Sequence, residues 1–407
     1  MSRVLVESEI DWIGKIPDNW NIQPLGLYLK ERKEKVSDID YEPLSVTKNG
    51  VVPQLENAAK SDAHDQRKKV CKFDFVINSR SDRKQSCGLS YLEGSVSLIN
   101  TVLKIYNYYP EYIKYALDNN MFSEEFYRNG HGIVADLWTT KYSEMKHIRI
   151  PEPKYDEQVK IANYLNNQCK KIDKIIEDNN REIELLEEYK RRIIFEKTSL
   201  GTITKVKNIG YVNGRIGFKG YSNEDIVDED TPGRALSIGG TNIMKSGTLS
   251  YDKRTYISEE KYLESPEIML TGGEILMTKV GAGCGENSIY EFYEERVTIN
   301  PNVMILHVND NVNSKYINYC LLNDEVRSNI KIESMSGGAQ PAINQELLKN
   351  LKIKLPSKSE QDNNTDFLDK QCSKLDSVVE YRKQIIEKLE EYKRSLIYEC
   401  VTGKREV

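Results

Sequence analysis

The sequence predicts a mixed α+β protein written twice. Two globular α/β modules are separated by a pair of long coiled-coil helices, which packed antiparallel would make an internal pseudo-twofold repeat. Three observations predict this. Residues 157–197 align without a gap to residues 360–400, an offset of 203 (360 − 157), and 18 of those 41 positions are identical. Neither Pro nor Gly occurs from Asp156 to Thr198, whereas Pro151 and Pro153 precede that stretch and Gly201 follows it, as helix start and stop signals do. Elsewhere the apolar runs are short and bounded by turn residues, which is the pattern of strands joined by loops.

Taken in order, residues 1–155 form the first module, 156–200 the first long helix, 201–358 the second module, 359–401 the second long helix and 402–407 a tail. The first module carries the strand-like runs "EPLSVT", "FDFVINS" and "VSLINTVLKIY"; the second carries "RALSIGG", "TYIS", "GEILMTK" and "VTINPNVMILHV". "YIKYAL" at 112–117 answers "YINYCL" at 316–321, and "IRIPEPKYDEQ" answers "IKLPSKSEQ". The modules have therefore diverged much further than the helices. Frequent turns argue against a parallel doubly wound sheet.

The helices want a partner. Ile172, Ile175, Leu186, Tyr189 and Ile193 fit a 3.5-residue seam, as do Leu375, Val378, Ile385, Leu389, Tyr392 and Leu396. Asn179 and Arg382 share one seam position, where a polar residue weakens packing and helps fix register. At 1.5 Å per residue such a helix is roughly 60 Å long, more than a module of this size needs for its core. It reads as a spacer.

Composition bounds the function. The hydrophobic fraction of 39% suits a globular protein, no apolar run approaches a membrane span, and the start lacks the pattern of a signal peptide; a cytoplasmic protein is expected. Seven cysteines without CxxC spacing suggest neither a disulfide framework nor zinc. Cys169 and Cys372 occupy matching positions and read as small apolar residues at a helix contact. A net charge of −5 gives no global attraction to nucleic acid, so such binding must be local. Residues 60–84 hold eight Lys/Arg against four Asp/Glu, which suits either DNA contact or a solvated loop.

No catalytic constellation can be assembled. "GAGCG" at 281–285 lacks the GxGxxG spacing of a dinucleotide loop, there is no GxxxxGK[ST], and the four His stand at no metal-ligand spacing. The expectation is a non-catalytic binding protein without cofactor or metal. Two diverged modules on a repeated rod suit a bivalent reader of a polymer, the rod setting the distance between contacts. Amides, hydroxyls and cations beside glycines supply DNA-contact candidates: Lys48, Asn49, Asn78, Arg80, Arg83 and Lys84 in the first module, and Thr241, Asn242, Thr278, Lys279 and Gln340 in the second. Ordinary polar loop chemistry is the alternative for each.

The stretches "EIDWIGKIPDNWNIQPL", "GRIGFKGY", "GGTNIM", "YISEEKYLES", "GGEILMTKVGAGCG", "GGAQPAIN", "LPSKSEQ" and "LIYECVTGK" follow one another in a specific order. In this the chain resembles the specificity (S) subunit of type I restriction-modification enzymes along essentially its full length. The resemblance implies two target-recognition domains, each reading one half of a split DNA sequence. It also implies two methyltransferase (M) subunits docked on the helices, joined by two restriction/translocase (R) subunits. S-adenosylmethionine, ATP and magnesium would belong to those partners. The first module has "NSRS" and "GIVADLWTT" but no counterpart to "GGAQPAIN". The acidic run "NEDIVDED" at 223–230 should face away from phosphates.

The hexapeptide "LEEYKR" recurs unchanged at 186–191 and 389–394. Two copies of one partner would hold such a polar surface constant, so Glu187, Lys190, Arg191, Glu390, Lys393 and Arg394 are partner-docking candidates. The competing expectations are a coiled-coil scaffold that binds protein, and a DNA-recognition protein serving another effector.

Overall fold

The computed structural model describes residues 3–56, 65–132, 138–214, 221–335 and 341–407. These form two compact units: Met1–Asn180 with Lys383–Val407, and Arg181–Arg382. Each contains one module, part of the long helix Tyr155–Thr198 and part of the long helix Lys358–Val401. No helix among the described residues is long and apolar enough to cross a membrane.

Both modules are built around one sheet plan. In the first, the order is Cys87–Leu89, Phe75–Asn78, Asn100–Ile105, Leu29–Glu31; in the second it is Asn287–Ile289, Ile275–Thr278, Val303–Val308, Gly210–Asn213. Every pairing in these two sheets is antiparallel. The central strands Phe75–Asn78 and Ile275–Thr278 are buried along their length, which explains their continuous apolar sequence. The run "VTINPNVMILHV" makes two strands, Val297–Ile299 and Val303–Val308, because Pro301 cannot donate to a ladder. The accessory sheets differ: three strands in the first module, four in the second, where Ala235–Ile238 and Val297–Ile299 pair in parallel.

A helix pair follows the sheet in each module, Pro110–Leu117 with Asn120–Arg128 and Ser314–Leu322 with Asp324–Ser334. A repeated latch then joins each pair to its long helix. Gln158, 2% exposed, accepts from the Tyr109 amide and donates to the Pro153 carbonyl; Gln361, also 2% exposed, accepts from the Asn313 amide and donates to the Pro356 carbonyl. One amide side chain thus satisfies an orphan N–H at a helix start and a buried carbonyl before the next helix.

The seam is real but runs one residue away from part of its expected course. Ile172, Ile176, Asn179, Ile183, Leu186, Lys190 and Ile193 are all buried or half-buried, at alternating steps of four and three; so are Leu375, Val379, Arg382, Ile386, Leu389, Lys393 and Leu396. Tyr189 and Tyr392, expected on the seam, are 49% and 48% exposed, and Ile175 is exposed as well. Lysine occupies the position that tyrosine was expected to fill. Within the second unit the helix segments run antiparallel, since Glu182 pairs with Arg382 and Lys190 with Asp376, and in the first unit Asp173 pairs with Lys393. Each fully buried Ile or Leu on the seam contributes about 1.5–3 kcal/mol.

The first unit is completed by the end of the chain. Leu396, Ile397, Cys400 and Val401 lie in one apolar cluster with Trp12, Ile16, Tyr112 and Phe122. Tyr398 Oη and Lys404 Nζ both donate to the Ile13 carbonyl. Gly403, at φ +71°, lies where a side chain would strike Pro17 and Trp20, so only glycine fits that approach.

Candidate nucleic-acid interface

In each module the loop after the central strand is clamped by a segment returning from beyond the second helix. In the first module, Ser81 N donates to Trp138 O and Thr140 N to Ser79 O, and Arg80 bridges to Thr139. In the second, Ile343 N donates to Lys279 O and Val280 bridges to Ala342. The same backbone device therefore presents residues 79–86 and 279–286 beside the second helix of each pair.

The first-module loop is basic and rigidly held. Tyr127 Oη donates to the carbonyls of Asn78 and Arg83 at 3.1 and 3.3 Å; burial pushes this phenol up, so it remains a neutral donor. Asn78 is buried, and its Oδ1 accepts from the Arg80 amide, so its side chain shapes the loop rather than reaching outward. Arg80 lies 3.1 Å from Asp82, Arg83 is exposed 3.8 Å from the same carboxylate, and Lys84 pairs with Glu124 at 3.0 Å. These exposed ion pairs are weak and can exchange for phosphate. Lys48 and Asn49 are exposed on a separate hairpin, Leu44–Thr47 to Gly50–Pro53, whose Gly50 packs on Gly88. Beyond the expected residues, Arg128 and the 37% exposed Trp138 line a cleft of about 450 Å³ beside Lys84.

In the second module, Thr241 is exposed while Asn242 is buried. Asn242 Oδ1 accepts from Gly239 N, and its amide donates to the carbonyls of Ser250 and Lys253. Its hydrogen-bonding capacity is directed into the loop, which corrects the expectation of a free amide. Thr278 is 3% exposed, with an Oγ1 that has no hydrogen-bond partner among the described residues. A Cβ on Gly240 would come 2.8 Å from Thr278 Cγ2, so the loop bearing Thr241 lies directly against the strand end bearing Thr278. Lys279 Nζ donates to the Pro301 carbonyl at 3.1 Å. Gln340 lies outside the described residues.

Next to this loop, Lys245, Glu286, Arg327 and Lys331 line a cleft of about 380 Å³. Arg327 bonds Glu286 Oε2 at 2.8 Å and the Lys245 carbonyl at 3.1 Å. Arg327 and Lys331, four apart on one helix, were a legible basic face; Arg128 and Trp138 gave no comparable signal, because only folding brings them together. The Cys284 thiol is pushed up by burial, which keeps it protonated near neutral pH and unsuited to act as a nucleophile. No cluster of three or more His, Cys, Asp or Glu suited to a metal occurs among the described residues.

Of the docking candidates, Glu187, Arg191, Glu390 and Arg394 are exposed, with Arg191 3.7 Å from Asp324. Lys190 and Lys393 instead turn into the helix pair, with side chains 15% and 30% exposed and bound to Asp376 and Asp173. Their repetition has a reason inside the chain, which corrects their assignment to an outward surface.

Residues 221–391 match the family described as "Type I restriction modification DNA specificity domain". A Methanocaldococcus jannaschii protein assigned as the MjaX type I restriction enzyme specificity subunit is 22% identical over 439 residues, covering 96% of this chain and 95% of that one. The type I restriction enzyme MjaVIII specificity subunit of the same organism is 21% identical over 282 residues, covering 64% and 62%. Among solved structures, a chain from a study of complex assembly and conformational transition of the type I R-M system aligns with a TM-score of 0.73 at 13% identity, covering 96% and 99%. The HsdS subunit from Thermoanaerobacter tengcongensis gives 0.51 at 14% identity, covering 98% and 100%.

Proposed function

We propose that this chain is a specificity subunit of a type I restriction-modification enzyme, a non-catalytic DNA-recognition protein, and that its two modules each read one half of a split DNA sequence. The observation that carries this reading is the contrast between frame and loops. Sheet order, glutamine latch and seam ion pair are repeated in both units. The loops on that frame differ: an arginine-rich stretch at 79–86 in one, a glycine-rich stretch at 279–286 in the other. Equal frames with unequal loops suit one task performed on two different base sequences.

Two methyltransferase subunits, and through them two restriction/translocase subunits, dock on this chain in the reading. S-adenosylmethionine, ATP and magnesium act on those partners, and the assembly works in the cytoplasm. Arg80, Arg83, Lys84 and Lys279 neutralise phosphates, and Lys48, Asn49 and Thr241 approach base edges. Asn78, Asn242 and Thr278 set the loop backbone on which recognition depends.

The test is methylation mapping of host DNA with the gene present, deleted, and carrying residues 203–350 exchanged for another module. One discontinuous motif, with only one half altered by the exchange, is expected. A continuous motif, or an exchange that changes both halves, overturns the two-reader assignment.

A further inference from the structure

One cleft occurs in both modules at the same place in the frame. In the first module the loop after the central strand contributes Ser81 and Lys84, the second helix Glu124 and Arg128, and the returning segment Trp138. In the second module the loop contributes Ala282 and Glu286, the helix Arg327 and Lys331, and the returning segment Pro341. The place is repeated, and its chemistry is not.

The first cleft holds an indole still. Trp138 O accepts from Ser81 N at 2.9 Å and Thr140 N donates to Ser79 O at 2.9 Å, which ties the returning segment to the loop. Thr140, 1% exposed, also donates through Oγ1 to Phe126 O at 2.9 Å, which ties the same segment to the second helix. Held on two sides, Trp138 keeps 37% of its surface exposed. Tyr127, the other aromatic residue lining the cleft, is 5% exposed and committed to the carbonyls of Asn78 and Arg83. The indole is the aromatic surface that the cleft offers.

Charge decides what approaches it. The lining sets two cations, Lys84 and Arg128, against two carboxylates, Asp82 and Glu124. That balance leaves no surplus to draw a phosphate into the cleft, so phosphate contact falls to Arg80 and Arg83 on the same loop. A base edge remains. Base faces are stacked away in a duplex, and in the major groove thymine carries a methyl group beside its O4 acceptor. An indole supplies the complement, an apolar ring with one N–H donor and no acceptor.

We propose that Trp138 reads a thymine in the half-site of the first module, its ring against the C5-methyl group and its N–H toward O4. The inference rests on the reading of each module as the reader of one half-site, and names a residue that sets the base. Pro341, at the corresponding place in the second module, has neither an aromatic ring nor a donor, so the second half-site carries no such requirement there.

The experiment uses the full chain assembled with its methyltransferase subunits, on duplexes carrying the motif found by methylation mapping. The half-site of the first module is the half left unchanged when residues 203–350 are exchanged. Each thymine of that half, on either strand, is replaced in turn by uracil, which removes the methyl group alone. At one position the wild type should bind about fourfold more weakly, the worth of one buried methyl group. Trp138→Ala should bind the thymine and uracil duplexes alike, and Trp138→Phe should keep the preference for the methyl group. In methylation mapping, Trp138→Ala should relax that one position and leave the second half-site as it was.

A wild type that binds its motif with no uracil-sensitive position overturns the proposal. So does a Trp138→Ala complex that keeps the full uracil effect while binding every duplex more weakly, since the indole would then be holding the backbone. Should Trp138→Ala fail to fold, 5-iodouracil at the sensitive position sets iodine where the methyl group stood, and irradiation of the wild-type complex should couple it to Trp138. A crosslink elsewhere, or none, overturns the proposal. Failure of the wild type to bind any motif duplex overturns instead the reading of the modules on which it rests.

Discussion

Lys190 donates to both carboxylate oxygens of Asp376 at 2.7 Å, and 203 residues later Lys393 donates to Asp173 at 2.5 Å. The two pairs exchange the roles of the helices: each helix supplies the lysine once and the aspartate once. A lysine on an apolar seam costs packing, and a partner on the facing helix in one register only makes that register the preferred one.

Replacing Lys190 or Lys393 by Met should therefore leave the unfolding midpoint unchanged or higher, because an apolar side chain suits the seam and the facing aspartate is solvated. Lys190→Glu should lower stability by about 1–2 kcal/mol through repulsion with Asp376, and Asp376→Lys should restore most of it. Thermal melts of the single and double variants provide the check. A charge reversal without effect would place the lysine outside the helix contact.

The glutamine latch should matter more. Gln158→Leu or Gln361→Leu strands a backbone N–H and a carbonyl in a buried site, at a cost of roughly 2–4 kcal/mol. Denaturant unfolding should show comparable losses for the two variants.

Asp118 gives a pH dependence. Burial raises its carboxyl to about 6, while it accepts from the Cys87 thiol at 3.6 Å. The folded state holds this proton more tightly than the unfolded chain, so stability falls as pH rises from about 4 to 6 and the cost persists above that window. Asp118→Asn should stabilise the protein by on the order of 2 kcal/mol at pH 8, with the gain vanishing near pH 4. Melting both proteins across that range measures it.

DNA binding should weaken steeply with salt, and Arg83→Ala should lower the log–log slope by about one without changing the preferred sequence. Arg327→Ala should disturb the glycine-rich loop through Glu286 and Lys245. It is therefore expected to change sequence preference in one half-site, as methylation mapping would record.

The repeat, the two long helices and the main strands were legible because periodicity, proline placement and self-similarity are properties of the chain itself. The seam's register at Lys190 was not. A reading that favours apolar residues takes the neighbouring Tyr189, and the aspartate that makes lysine acceptable lies on the other helix. Likewise Asn78, Asn242 and Thr278 have the chemistry of base readers and equally that of turn builders; only their burial separates the two. Trp138 and Arg128 become neighbours only through the returning segment.

The closing of the first unit by Leu396–Val401 against Trp12 and Tyr112 has a consequence for synthesis. The second unit is one uninterrupted stretch, Arg181–Arg382, and can assemble as soon as that stretch has left the ribosome. The first, although begun earlier, lacks part of its core until residues 396–401 have also been made. The unit that is begun first therefore matures last, and a chain cut before Leu396 holds a whole second unit beside a first unit without that part of its core.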